Sequence, residues 1–174
     1  MKIRLPLPVI SVLLASVLLG ACSPKYNWRD YASQDAPYRI MFPAKPASFT
    51  RTVDLDGMQV SMTMTAAEVD GATFAVGSAE APDEEHARAA VPAMVQALTR
   101  NIGAIGEQAA AHAESGGRSV SDIDVAGSSN GQPVRLVGHF EARGKRFYQV
   151  IVLGKTNAMP SEQVEQFLTS FTLR

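Results

Sequence analysis

Apolar and polar side chains alternate along much of this chain, and the period of the alternation changes at a few defined points. Tyr38 to Phe42 reads as a short strand stopped by Phe42-Pro43 and Lys45-Pro46, because proline removes a ladder donor. Phe49, Arg51, Val53 and Leu55 then alternate with Ser48, Thr50, Thr52 and Asp54. Past Asp56-Gly57, Met58, Val60, Met62 and Met64 alternate with Gln59, Ser61, Thr63 and Thr65. Two apolar-alternating runs joined by Asp-Gly predict a hairpin. Asp70-Gly71 gives a second turn, into Ala72 to Ala79. Together these segments predict an antiparallel meander with one apolar face.

The period then becomes helical. Pro82-Asp83-Glu84-Glu85 predicts a helix start, with Asp83 as N-cap and two acids opposing the dipole in the first turn. Ala87, Val91, Met94, Leu98, Ile102 and Ile105 recur at spacings of three and four, one side of a helix. Pro92 conflicts, since an interior proline costs about 3 kcal/mol. Either the helix bends there, or Glu84 to Val91 is a separate turn and the regular part begins at Pro92. Gly103 and Gly106 mark its end.

Glu107 to Gly117 is weakly patterned, and Arg118 to Ala126 alternates enough for a strand. After a Gly/Ser/Asn turn come two strong strands, Gln132 to Ala142 and Arg146 to Gly154, linked by Arg143-Gly144-Lys145. Phe147 to Leu153 is apolar in both alternating sets apart from Gln149, which predicts a central strand covered on both sides. Val164, Phe167, Leu168 and Phe171 make a last helical stripe, entered at Pro160-Ser161. Segregated runs of strands and helices argue for an α+β domain. Its antiparallel sheet should have about six or seven strands, with the long middle helix and the C-terminal helix packed on it.

The N-terminus has a different character. Lys2 and Arg4 precede an apolar run from Val9 to Leu19, and small residues Gly20 and Ala21 sit before Cys22, the only cysteine. The run is shorter than the about 20 residues of a membrane span, so residues 1–21 read as a removable export signal. Leu19-Gly20-Ala21-Cys22 resembles the bacterial lipobox. That resemblance implies a diacylglyceryl group on the Cys22 thiol, cleavage before it, and an acyl group, typically palmitate, on the new amino terminus. Two or more acyl chains anchor stably where one is marginal, so the mature protein is expected to stay on a membrane. Ser23 stands where an aspartate marks retention in lipoprotein sorting, which implies the outer membrane, with the domain facing the periplasm. Residues 22–36 are then a lipidated N-terminus and flexible tether, in which Trp28 is expected to dock on the domain. Residues 37–174 form a single domain.

Charge narrows the partners. Losing Lys2 and Arg4 takes the formal net charge from −1 to about −3, with no basic excess for nucleic acid. With Cys22 lipidated no disulfide forms, so an apolar core must hold the fold.

Tyr38-Arg39-Ile40-Met41-Phe42-Pro43, the long middle helix, Arg146-Phe147-Tyr148-Gln149-Val150 and the closing Phe167-Leu168-Thr169-Ser170-Phe171 before Thr172-Leu173 resemble the Mog1/PsbP-like fold. The resemblance spans about Ala36 to Arg174. It implies a binding or assembly subunit and transfers no site residue, since these are core and turn positions.

Candidate chemistry is sparse. Gly127-Ser128-Ser129-Asn130-Gly131 satisfies G-x-S-x-G with Ser129 as nucleophile, which requires a strained strand-to-helix turn. The residues that follow read as strand, and no acid lies between Ser129 and His139, so a turn is favoured. His86, His112 and His139 show no paired ligand spacing, so no metal is expected. Met58, Met62 and Met64 at period two are core packing before a soft-metal site. Asp54-Leu55-Asp56-Gly57 lacks the downstream ligands of a calcium loop. Arg143, Lys145 and Arg146 put three cations at a hairpin tip, a solubilising edge or a contact for an anionic envelope component. No cofactor is expected. The leading expectation is a non-catalytic binding or assembly module of the envelope, contacting the membrane through lipid on Cys22, with an envelope protein as a candidate partner. A small serine hydrolase using Ser129, or an envelope structural or stress protein without a small ligand, are the alternatives.

Overall fold

Among the described residues, four two-residue turns set the register of the main sheet. Asp56-Gly57, Asp70-Gly71 and Asn130-Gly131 have positive φ at both positions, the geometry that matches the twist of the strands on either side. Gly144-Lys145 reverses the chain with positive φ at the glycine alone. Asp54 tightens the first turn by accepting the Gly57 N–H at 2.7 Å, so this segment is a hairpin turn.

The computed structural model describes residues 24–104, 111–115 (backbone) and 118–174. Its strands are β1 (Arg29–Ala32), β2 (Tyr38–Phe42), β3 (Ala47–Leu55), β4 (Met58–Val69), β5 (Ala72–Glu80), β6 (Ala111–Ser115), β7 (Arg118–Ser129), β8 (Gln132–Arg143), β9 (Arg146–Lys155) and β10 (Thr172–Leu173). The helices are α1 (Glu84–Asn101) and α2 (Ser161–Thr169), with a 3-10 turn at Thr156–Ala158. Seven strands form one antiparallel sheet in the order β3-β4-β5-β9-β8-β7-β6, and a small sheet has the order β1-β2-β10. The α+β class expected from the sequence is observed.

Alternation along the strands builds two cores. One face of the large sheet offers Val60, Met62, Ala75, Ile123, Val125, Leu136, Phe140, Phe147 and Ile151 to Ala87, Ala90, Val91 and Met94 of α1. The other face offers Phe74, Val76, Tyr148, Val150 and Val152 to Tyr38, Ile40 and Phe42 of β2 and to Val164 and Phe167 of α2. Phe167 is fully buried, with ring centroids 5.4 Å from Phe42 and 5.3 Å from Phe74. The two helices therefore lie on opposite faces, and the domain has three layers. β9 is the fourth of seven strands and is covered on both sides, as its doubly apolar sequence predicts.

Three segments are decided by the structure and not by their pattern. The stretch read as a tether joins the fold from Lys25 onward. Lys25 pairs with Asp70, Asn27 donates its N–H to the Pro43 carbonyl at 2.8 Å, and β1 pairs with β2. Tyr26 and Trp28 set their rings edge-on to Phe74, so Trp28 does dock on the domain. A four-residue strand with three exposed side chains leaves no period to read. Of the two readings at Pro92, the divided one fails: α1 runs as one helix through Pro92, with the Asp83 side chain capping the His86 N–H at 2.9 Å. Pro92 sits on the exposed side, where the carbonyl deprived of its amide partner can turn to water. Finally, weakly patterned Ala111–Ser115 is an edge strand held on β7 by the backbone ladder. Ile105 and Gly106 lie outside the described residues, as do residues 1–23 with Cys22.

Candidate functional site

A cleft of about 880 Å³ opens between the C-terminal segment and the β7–β8 end of the large sheet. Its volume lies in the range typical of small-molecule sites, roughly 300–1,000 Å³. Leu168, Phe171 and Leu173 form an apolar wall. Arg118, Asp122, His139, Glu141 and Arg143 form a charged wall, and Glu84 from the start of α1 also lines the cleft.

The charged wall follows from the Asn130-Gly131 turn. Once that turn fixes the register, Arg118 lies opposite Arg143, Val120 opposite Glu141, and Asp122 opposite His139. Even-numbered β7 residues and odd-numbered β8 residues share the face away from α1, because Val125, Ile123, Leu136 and Phe140 occupy the α1 face. Residues far apart in sequence thus become neighbours.

His139 is the centre of a charge chain. Its Nδ1 lies 2.6 Å from Asp122 Oδ1 and its Nε2 3.4 Å from Glu141 Oε2. Arg118 Nε donates to Glu141 Oε1 at 2.7 Å. The Glu141 side chain is only 7% exposed, against 22% for His139. Burial by itself lowers the His139 pKa, but hydrogen bonds to Glu141 and Asp122 outweigh it and hold the value above the ordinary 6.5. Burial likewise pushes Glu141 up, yet its bonds to His139 and Arg118 prevail and keep it below 4.5. With a carboxylate at each ring nitrogen, the imidazole satisfies both contacts only as the imidazolium. That arrangement suits a fixed positive charge and not a general base, which needs a free nitrogen.

The candidate nucleophile is elsewhere. Ser129 ends β7 opposite Gln132, and the chain continues through a hairpin into β8, so no helix follows it. Ser129 is seven residue steps along extended β7 from Asp122, about 23 Å at strand rise. It therefore cannot meet the Asp122–His139 pair. The first glycine of the motif has a packing role: Ser128 N–H donates to the Ile102 carbonyl at 2.6 Å. A Cβ on Gly127 would stand 2.3 Å from that oxygen. The pattern G-x-S-x-G arises here from helix docking plus a turn.

The other singled-out residues are dispersed. Arg143 lines the cleft, Lys145 occupies the turn, and Arg146 pairs with Glu80 at 2.9 Å and with the Asp35 carbonyl at 3.4 Å. Met62 is core, Met58 and Met64 pack against it, and Gln149 Nε2 donates to Met64 Sδ at 3.4 Å. His86 caps back onto Asp83, far in sequence from His139. His112 belongs to β6 opposite Ser121. Among the described residues no three histidine, cysteine or acidic side chains converge as a metal-ligand set.

Asp122, Glu141 and Arg118 escape a sequence-order search because catalytic motifs are sought along the chain. Treating Asn130-Gly131 as a two-residue turn and pairing outward from it would have found them. Compared with known proteins, the chain matches no family model and no curated protein.

Proposed function

We propose that this protein is a lipid-anchored binding or assembly module of the cell envelope, held at the outer membrane through Cys22, with a Mog1/PsbP-like domain facing the periplasm. The observation that carries the binding reading is the cleft: one apolar wall, one wall of pre-paired charges, and no serine or cysteine among its described lining residues. A cleft with electrostatically fixed polar groups is a ligand site before it is a packing defect. The lipobox supports the anchor, and the three-layer α+β architecture is compatible with the fold resemblance.

The anchor reading has a geometric consequence. From Cys22 to Lys25 is three residues, a reach of about 11 Å at full extension. The domain would then ride close against the bilayer. Lys25 is held at the Asp70-Gly71 turn, while the cleft lies at the Gly144 turn. These turns are at opposite ends of β5 and β9, since Ala72 pairs with Gly154 and Glu80 with Arg146. The cleft would face the aqueous side.

Two measurements test this. Mass spectrometry of the native protein should find a chain starting at a lipid-modified Cys22, and an intact Met1 or an unmodified thiol ends the anchor reading. Photocrosslinkers at Thr169 and Thr172 on the cleft rim should capture a discrete envelope component. Equal capture by a crosslinker at Thr50, on exposed β3, would reject the cleft as the site.

A further inference from the structure

We infer that the cleft is an anion site for a single-chain amphiphile, with a carboxylate or phosphate head held by Arg143 and Arg118 and an apolar chain on Leu168, Phe171 and Leu173. The inference rests on the binding reading above and names the ligand class of that site.

The first observation is a row of like charges. Arg118 lies opposite Arg143 across β7–β8, and Arg143 opposite Arg146 across β8–β9. Cross-strand partners share a face, and like charges placed directly opposite are unfavourable without a counter-charge. Arg118 has Glu141 and Arg146 has Glu80. Arg143, between them, has no acidic partner among the described residues. Arg118 commits only its Nε, so its terminal nitrogens are not engaged by Glu141. Both guanidinium groups line the same cleft, and the planar fork of an arginine matches the geometry of a carboxylate or phosphate.

The second observation concerns the acids of the cleft. Asp122 and Glu141 are already bonded to His139 and Arg118, so their charge is offset locally. Of the acids lining the cleft, Glu84 is the one not bonded to His139 or Arg118 and so opposes an anion there. The third observation is the facing wall. Leu168, Phe171 and Leu173 are only partly buried, and Phe171 is backed by Tyr38, Tyr148 and His139 at centroid distances of 5.7–6.1 Å. A free inorganic anion would leave that wall unused. An uncharged alkyl chain would leave Arg143 uncompensated. Given the anchor at the far end of the sheet, the ligand arrives from water and not from the bilayer beneath.

Isothermal titration of the purified protein with dodecanoate, dodecyl phosphate, dodecanol and inorganic phosphate tests this. One or both anionic amphiphiles should bind at one per chain, more tightly than either half-ligand. Arg143→Ala should weaken that binding roughly ten- to hundredfold. Lys145→Ala, at the same tip but outside the cleft, should leave it unchanged, and Glu84→Gln should tighten it. Equal losses in the Arg143 and Lys145 variants would reduce the effect to diffuse charge and overturn the inference. Dodecanol binding as tightly as the anions would overturn the anion site while leaving the cleft as a binding site. Binding to none of the four probes overturns the amphiphile assignment, whereas the binding reading stands or falls on rim crosslinking.

Discussion

His139 Nδ1 sits 2.6 Å from Asp122 Oδ1, across a strand pair whose register is set by a turn eight residues away. The contact joins an imidazole held above its ordinary pKa to an exposed carboxylate, and Glu141 on the other side completes the charge chain.

The pH dependence of stability follows from these directions. His139 is raised in the folded state, so its contribution is full below 6.5 and is lost as pH rises through the folded value. Glu141 is lowered, so its contribution is full above 4.5 and is lost as pH falls through its folded value. The cluster should be most stabilising between those two values. Urea unfolding of wild type and His139→Gln should show a gap that is widest near pH 5.5 and narrows on both sides. A gap that grows steadily toward pH 9 would contradict the assignment.

Burial and not distance should rank the two arginine–acid pairs of β7–β8. Arg118–Glu141 and Arg135–Asp124 have similar lengths, 2.7 and 2.6 Å, but Glu141 is 7% exposed and Asp124 55%. Arg118→Ala strips a partner from a buried carboxylate and should cost about 1–2 kcal/mol. Arg135→Ala should cost no more than about 1 kcal/mol. Chemical denaturation of both variants at pH 7 gives the comparison, and the reverse order would show that solvent screening has been misjudged.

Within Gly127-Ser128-Ser129, the glycine should matter and the serine should not. Gly127→Ala places a methyl against the Ile102 carbonyl and should destabilise by about 1–3 kcal/mol. Ser129→Ala should stay within about 0.5 kcal/mol of wild type, with no change in any ester turnover. Loss of fluorophosphonate labelling in the serine variant would restore the hydrolase reading.

The N-terminal stretch should behave as structure. Trp28 stacks near Tyr26, meets Phe74 edge-on, and donates its indole N–H to Gln163 at 3.2 Å. Trp28→Ala should therefore cost roughly 2 kcal/mol, visible as a lowered Tm. A free tether would show no shift.

Turn chemistry and alternation made the large sheet readable in advance. Asp56-Gly57, Asp70-Gly71 and the hairpin at Gly144 demand reversals because few residues accept positive φ. The Asp83 cap and the α1 stripe were legible for the same local reason. Segments that lean on partners were not: β1 and β6 carry little hydrophobic pattern, and each is a strand because a neighbour supplies its ladder. The cleft was hidden similarly, since Arg118, Asp122, Glu141 and His139 become a set only through register.

By itself, then, the sequence determined the local grammar of this protein: the strands with strong alternation, the tight turns and two helices. Tertiary structure alone decided that the helices lie on opposite faces, that Pro92 is tolerated on the exposed side of α1, and that Asp122, His139, Glu141 and Arg118 form a single charged wall. The reason is physical: φ preference and side-chain period act over a few residues, whereas a cleft is made where surfaces from distant segments meet.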